Sequence, residues 1–99
     1  MWSSINAGTT IGTKGSEGGR ILKDEEHILG ARITLEQGGF IPFSLTCGVY
    51  GLMVHTVFAS SLAEAESLFA TVQARLTAMM EKTNAQSFDA EVKRFAEDF

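Results

Sequence analysis

The sequence is poor in cysteine and in basic residues, and each scarcity excludes a class of protein. Cys47 is the only cysteine among 99 residues, so one chain can form neither an internal disulfide nor a zinc site built from several cysteines. Lys and Arg number 8 against 12 Asp and Glu, and the net charge of -4 provides no field that attracts phosphate backbones or anionic lipids. We therefore expect no nucleic-acid partner and no membrane partner.

Long apolar runs are also missing. No stretch is long enough to cross a bilayer, and residues 1–5 have neither the basic segment nor the apolar run of a secretion signal. A lone free cysteine suits a reducing compartment, so the expected location is cytoplasmic. The hydrophobic share of 44% with 20% charged residues is typical of a globular chain that buries a core.

Composition changes once along the chain, near residue 20. Residues 6–19 (NAGTTIGTKGSEGG) are rich in Gly, Thr and Ser and carry no apolar period, which predicts an N-terminal arm over 1–19. Its possible anchors are Trp2, Ile5 and Ile11. The single proline, Pro42, marks no linker, so residues 20–99 are expected to form one domain.

Alternating apolar and polar residues between 20 and 59 predict an antiparallel meander of three to four strands, with the acidic residues 24–26 in a turn. We place the next two hairpin turns at residues 37–39 and around 49–50, where glycines lie within or next to the turns. That register predicts a core face built from four cross-strand rows: Leu35/Ile41/Phe58, Ile33/Phe43/Thr56, Ala31/Leu45/Val54 and Leu29/Cys47/Leu52.

Two helices are predicted after the sheet, at about 61–83 and 87–98. Ser61 and Glu64 have capping-box spacing at the start of the first, and Ser87 is a candidate cap for the second. The first helix carries an apolar arc on one side, which we expect to cover the core face. The arc consists of Leu62, Ala65, Leu68, Phe69, Val72, Leu76, Met79 and Met80. The fold class is therefore α+β.

The same register predicts one polar row on the second face of the sheet, formed by Arg32, Ser44 and His55. These side chains offer two cationic or neutral nitrogen donors and a hydroxyl, which together suit a small anion. The alternative is a solvated or interface row whose members bond one another. Arg32, Ser44 and His55 are thus the candidate ligand-binding residues.

Three other patterns favour structural interpretations over chemical ones. A Cys47–His55 nucleophile and base would need both side chains on one face, and the predicted register separates them. Residues 24–27 (DEEH) are consecutive, a spacing that rarely converges on a metal ion. Residues 8–15 (GTTIGTKG) depart from the phosphate-loop pattern on both sides of Lys14. We predict no catalytic residue, no metal and no cofactor. The sequence therefore favours a protein without enzymatic activity.

The leading hypothesis is a small non-enzymatic interaction or structural module that acts as a homo-oligomer, with another protein as a possible further partner. Its basis is apolar and small-residue surface that one helix does not cover. The alternative is a small-molecule or anion-binding domain, with or without enzymatic activity, whose site is on the second sheet face. The predicted oligomer interface consists of Ala63, Ser67, Ala70 and Ala74 on the helix and Phe40, Met53 and Val57 on the sheet.

Overall fold

The computed structural model describes residues 2–39, 41–51, 53–82 and 85–99, with the side chains of 82–89 left aside. Five strands form one antiparallel sheet in the order β1-β2-β3-β4-β5, and two helices follow. The predicted α+β class is confirmed, and the N-terminal segment contributes the fifth strand. The elements are β1 (Trp2–Ser4), a 3-10 turn (Ile5–Gly8), β2 (Arg20–His27), β3 (Ala31–Gln37), β4 (Phe43–Val49), β5 (Met53–Ala59), α1 (Leu62–Lys82) and α2 (Ala85–Asp98).

Both helices cover the same side of the sheet, which we call the inner face. Phe69, Val72 and Leu76 of α1 are buried against it, as the predicted apolar arc required, whereas Leu62 is 47% exposed. Phe95 of α2 is fully buried in the same core. Ser61 accepts a hydrogen bond from the Glu64 N–H at 3.2 Å, which confirms the predicted cap. No described helix is both long and apolar enough to cross a membrane.

The acidic segment is not a turn, contrary to the prediction. Asp24, Glu25 and Glu26 lie in the middle of β2, and the chain reverses at residues 28–30 instead. Each acidic side chain has a partner from another element. Asp24 pairs with Arg32, Glu25 accepts a hydrogen bond from Gln73 of α1 at 2.8 Å, and Glu26 accepts one from Tyr50 at 3.2 Å. Partners from other elements therefore override the low strand propensity of acids.

The β3–β4 hairpin keeps the predicted faces but has a longer loop. Gln37 pairs with Phe43, so five positions separate the strands where we expected three. Both loop lengths are odd, which leaves odd-numbered residues of both strands on the inner face. Cys47 is accordingly 1% exposed, as predicted. Pro42 precedes β4, and its carbonyl accepts from the Gly38 N–H at 2.8 Å, so it does not interrupt the strand ladder.

The predicted register of β4 with β5 is wrong. Val49 pairs with Met53, which leaves three positions between the strands where the prediction had a two-residue turn at 49–50, and this reverses both faces of β5. His55 consequently lies beside Cys47 on the inner face, while Val54 and Phe58 are on the opposite side, the outer face. The predicted row of Arg32, Ser44 and His55 does not form, since His55 is on the other face from Arg32 and Ser44.

The N-terminal arm is packed on this sheet. Trp2 pairs with His27 in the ladder and donates from its indole N–H to the Thr77 hydroxyl at 2.7 Å. Ile5 is buried, whereas Ile11 is 46% exposed and does not anchor the arm. Residues 12–21 then form a hairpin-like turn that continues into β2, with Gly12 N–H bonded to the Ile21 carbonyl at 2.8 Å.

Candidate functional site

Residues 10–19 cross the outer face, and we call this segment the strap. Glu36 of β3 holds it there, since its fully buried carboxylate accepts from the Gly19 N–H at 3.1 Å and from the Glu17 N–H at 3.2 Å. A Cβ atom on Gly15 would overlap that carboxyl group, so glycine is required for the close approach. A glycine-rich stretch that looks like a flexible arm is therefore a segment fitted tightly against one buried acid.

Arg32 lies on the outer face in a fixed ion pair. Its Nε–H and Nη2–H donate to the two carboxylate oxygens of Asp24 at 2.9 and 2.7 Å, and the Thr34 hydroxyl donates to Asp24 at 2.9 Å. Burial opposes ionisation of Asp24, but the hydrogen bonds from Arg32 and Thr34 and the positive charge of Arg32 outweigh it and lower the pKa of this carboxyl. The outer edge of the guanidinium keeps its remaining donors, and the Arg32 side chain is 41% exposed.

Ser44 and His55 have separate surroundings. Ser44 lies between Glu36 and Phe58 on the outer face, is 2% exposed, and its hydroxyl has no hydrogen-bond partner among the described residues. The His55 ring packs edge-on against Phe95 at 6.0 Å between centroids, under α2. Neither side chain joins Arg32 in a common anion site.

The Cys47 thiol is buried and hydrogen-bonded. It donates to the backbone carbonyl of His55 at 3.4 Å, and burial raises the pKa of the Cys47 thiol to about 12. A thiol with that pKa supplies almost no thiolate at neutral pH. The position of His55 beside it in the strand ladder therefore does not make Cys47 a nucleophile. Among the described residues no group of three His, Cys, Asp or Glu side chains is placed to hold a metal ion.

A cleft of about 690 Å³ opens between the strap and strands β3 to β5. Sequence reasoning identified only Arg32 of its important residues. The contributions of the strap and of a strand glycine were missed, although a glycine inside a strand is a known signal of space or of close approach. The residues that shape the cleft include Lys14 and Ser16 of the strap, Arg32 and Thr34 of β3, Gly48 of β4 and Val54 of β5.

The free edge of β5 is the second feature of functional interest. β5 is the last strand of the sheet and pairs only with β4 in the described part of the chain. Its seven residues (MVHTVFA) include no Asp, Glu, Lys, Arg or Pro, and Val54 and Phe58 are 80% and 51% exposed. The opposite edge, β1, has three residues. The long edge therefore has none of the charged side chains or prolines by which natural sheets prevent edge-to-edge pairing.

The predicted interface residues fall into three groups. Met53 and Val57 pack partly buried against the core, on the face opposite to the one predicted, so they do not form an exposed patch. Phe40 lies outside the described residues. The small residues of α1 that were predicted to receive a second helix are all exposed, namely Ala63, Ser67, Ala70 and Ala74.

Comparison with known proteins supplies no function. No protein-family model matches the sequence, and searches of curated proteins and of solved structures find no significant match. The structure itself defines an α+β domain with a strapped five-stranded sheet.

Proposed function

We propose that this chain is a non-enzymatic interaction module that self-associates through the edge of β5. The feature that carries the proposal is β5 itself. This strand has seven residues, none of them Asp, Glu, Lys or Arg, and its free edge has no strand partner in the described chain. Backbone N–H and C=O groups on such an edge pair readily with another extended strand. Antiparallel pairing with a second copy would extend the five-stranded sheet into a ten-stranded one.

The β5 sequence is compatible with pairing against itself. In a two-fold arrangement centred on Thr56, Val54 of one copy faces Phe58 of the other on the outer face. On the inner face Met53 would face Ala59, and His55 would face Val57. No position sets like charges against each other, and apolar cross-strand pairs stabilise a ladder by about 0.2–1 kcal/mol each.

The chemistry-bearing side chains support a binding role over a catalytic one. Arg32 is ion-paired with Asp24, the Cys47 thiol is buried with a raised pKa, and His55 packs against Phe95. These groups do not converge on one point where a substrate could meet an acid, a base and a nucleophile.

The test compares the mass in solution of the native protein with that of a variant that carries a charge on the β5 edge. Light scattering coupled to size exclusion at micromolar concentration should give twice the 10.7 kDa chain mass for the native protein. Phe58→Lys should give the monomer mass, because a lysine on a sheet edge opposes pairing. Ile28→Lys is the matched control, since Ile28 is 85% exposed in the β2–β3 turn away from β5, and this variant should stay dimeric.

Two results would contradict the proposal. A native protein that is monomeric at micromolar concentration removes self-association. A dimer that survives Phe58→Lys but is lost in Ala70→Arg assigns the interface to the exposed small residues of α1, as the sequence hypothesis of a helix interface predicts. Circular dichroism of each variant confirms that the sheet and helices are retained before the masses are compared.

A further inference from the structure

The charged residues that line the cleft on the outer face are both cations, although the chain as a whole is acidic. The protein carries a net charge of -4, yet among the described residues that line the cleft there are two cations, Lys14 and Arg32, and no carboxylate. Asp24 is ion-paired with Arg32 from beside the cleft, and Glu26 lies opposite Arg32 on β2. Lys14 forms no ion pair in the described part of the chain, so one positive charge at the cleft is left without a counter-charge.

Gly48 is part of the surface of the cleft. It lies on the outer face, with Arg32 opposite it on β3 and Val54 opposite it on β5. A Cβ atom at Gly48 would come within 3.1 Å of the Met53 carbonyl oxygen and 3.7 Å of Val54 Cγ2. The Cβ position of Gly48 is therefore crowded by β5, and the glycine adds no side chain to the cleft between Arg32 and Val54.

The remaining surface of the cleft is partly apolar. Ile21, Val54 and Tyr50 contribute to it, and the strap closes one side. A volume of about 690 Å³ is within the range of small-molecule sites, which combine apolar walls with a few polar groups that fix orientation. The strap is fixed by Glu36, so the site is formed before any ligand arrives.

We propose that this cleft binds a small organic carboxylate with an apolar body. The carboxylate lies between the Lys14 ammonium and the outward donors of Arg32, and the apolar body lies over Gly48 against Ile21 and Val54. A carboxylate matches this pair of cations because it accepts charge-assisted hydrogen bonds from both. The site uses no residue of a second copy, so it does not depend on self-association.

The experiment compares three probes that share one alkyl tail and differ in the head group: decanoate, decanol and decylamine. Isothermal calorimetry should show saturable binding of decanoate, at least tenfold weaker binding of decanol, and none of decylamine. Lys14→Glu should weaken decanoate about tenfold. Lys93→Glu, which makes the same charge change on the exposed surface of α2, should leave the affinity unchanged.

Amide chemical shifts of the native protein locate the probe without any substitution. Decanoate should shift the amide signals of Lys14, Gly48 and Val54 more than those of α1. Gly48→Val should abolish binding by filling the space, and the shift map keeps the proposal testable where that variant fails to fold. The Phe58→Lys variant should bind decanoate as the native protein does, which separates the cleft from the β5 edge.

Any of four results would overturn the proposal. Three of them are the absence of saturable decanoate binding at millimolar concentration, equal affinity for decanoate and decanol, and shifts that cluster away from Gly48. Unchanged affinity in Lys14→Glu would also contradict it, because the cation would then play no part.

Discussion

Replacing the buried carboxylate of Glu36 tests how the strap is held on the sheet. Oε1 accepts from the N–H groups of both Glu17 and Gly19, at 3.2 and 3.1 Å, whereas Oε2 accepts only from Glu17, at 3.3 Å. Glu36→Gln can keep a carbonyl oxygen at the Oε1 position, so both donors retain an acceptor. It loses the negative charge and the second contact to Glu17.

The two substitutions should differ in a predictable way. A charged hydrogen bond contributes about 1.5–3 kcal/mol and a neutral one about 1 kcal/mol, so Glu36→Gln should lower the free energy of unfolding by roughly 1 kcal/mol. Glu36→Ala leaves the Gly19 N–H unpaired in a buried position, which costs about 1–3 kcal/mol in addition to the bond to Glu17. We expect about 3 kcal/mol in total for Glu36→Ala.

Urea unfolding followed by circular dichroism measures these free energies, and hydrogen exchange measures the strap directly. The amides of Glu17 and Gly19 should lose protection in Glu36→Ala and largely keep it in Glu36→Gln. Glu66→Ala on the exposed side of α1 is the control and should change stability by no more than about 0.5 kcal/mol. Equal costs for Gln and Ala, or an unchanged Gly19 amide, would refute this account of the strap.

Two further predictions follow from the buried groups of the sheet. Cys47 should react slowly with Ellman's reagent at pH 8 and at once in urea, because its thiol is buried with a pKa of about 12, and rapid stoichiometric labelling of the native protein would contradict its inward orientation. The pKa of Asp24 is lowered in the folded protein, so its contribution is present above the unfolded value near pH 4 and is lost as the pH falls through the folded value. The difference in unfolding free energy between the native protein and Asp24→Asn should therefore be constant above about pH 5 and shrink below pH 4, and a difference independent of pH across this range would exclude the ion pair with Arg32 as its source.

The helices and two of the strands could be predicted from the sequence because their signals are local. The apolar arc of α1 repeats at helical spacing, and Ser61 with Glu64 marks its beginning. In β3 and β4 the apolar residues alternate cleanly, so the inward direction of Ile33, Leu45 and Cys47 could be assigned even though the loop length was wrong.

The face of β5, the course of the acidic segment and the fit of the strap were decided only by the tertiary structure. β5 has apolar residues on both faces, Met53 and Val57 on one and Val54 and Phe58 on the other, so alternation does not choose between them and the turn length does. Asp24 stays in a strand because Arg32 and Thr34 meet it from β3, a contact that no local pattern encodes. The strap is ordered by a carboxylate 17 residues further along the chain than Gly19, and such long-range pairing becomes visible only once the sheet has brought the two segments together.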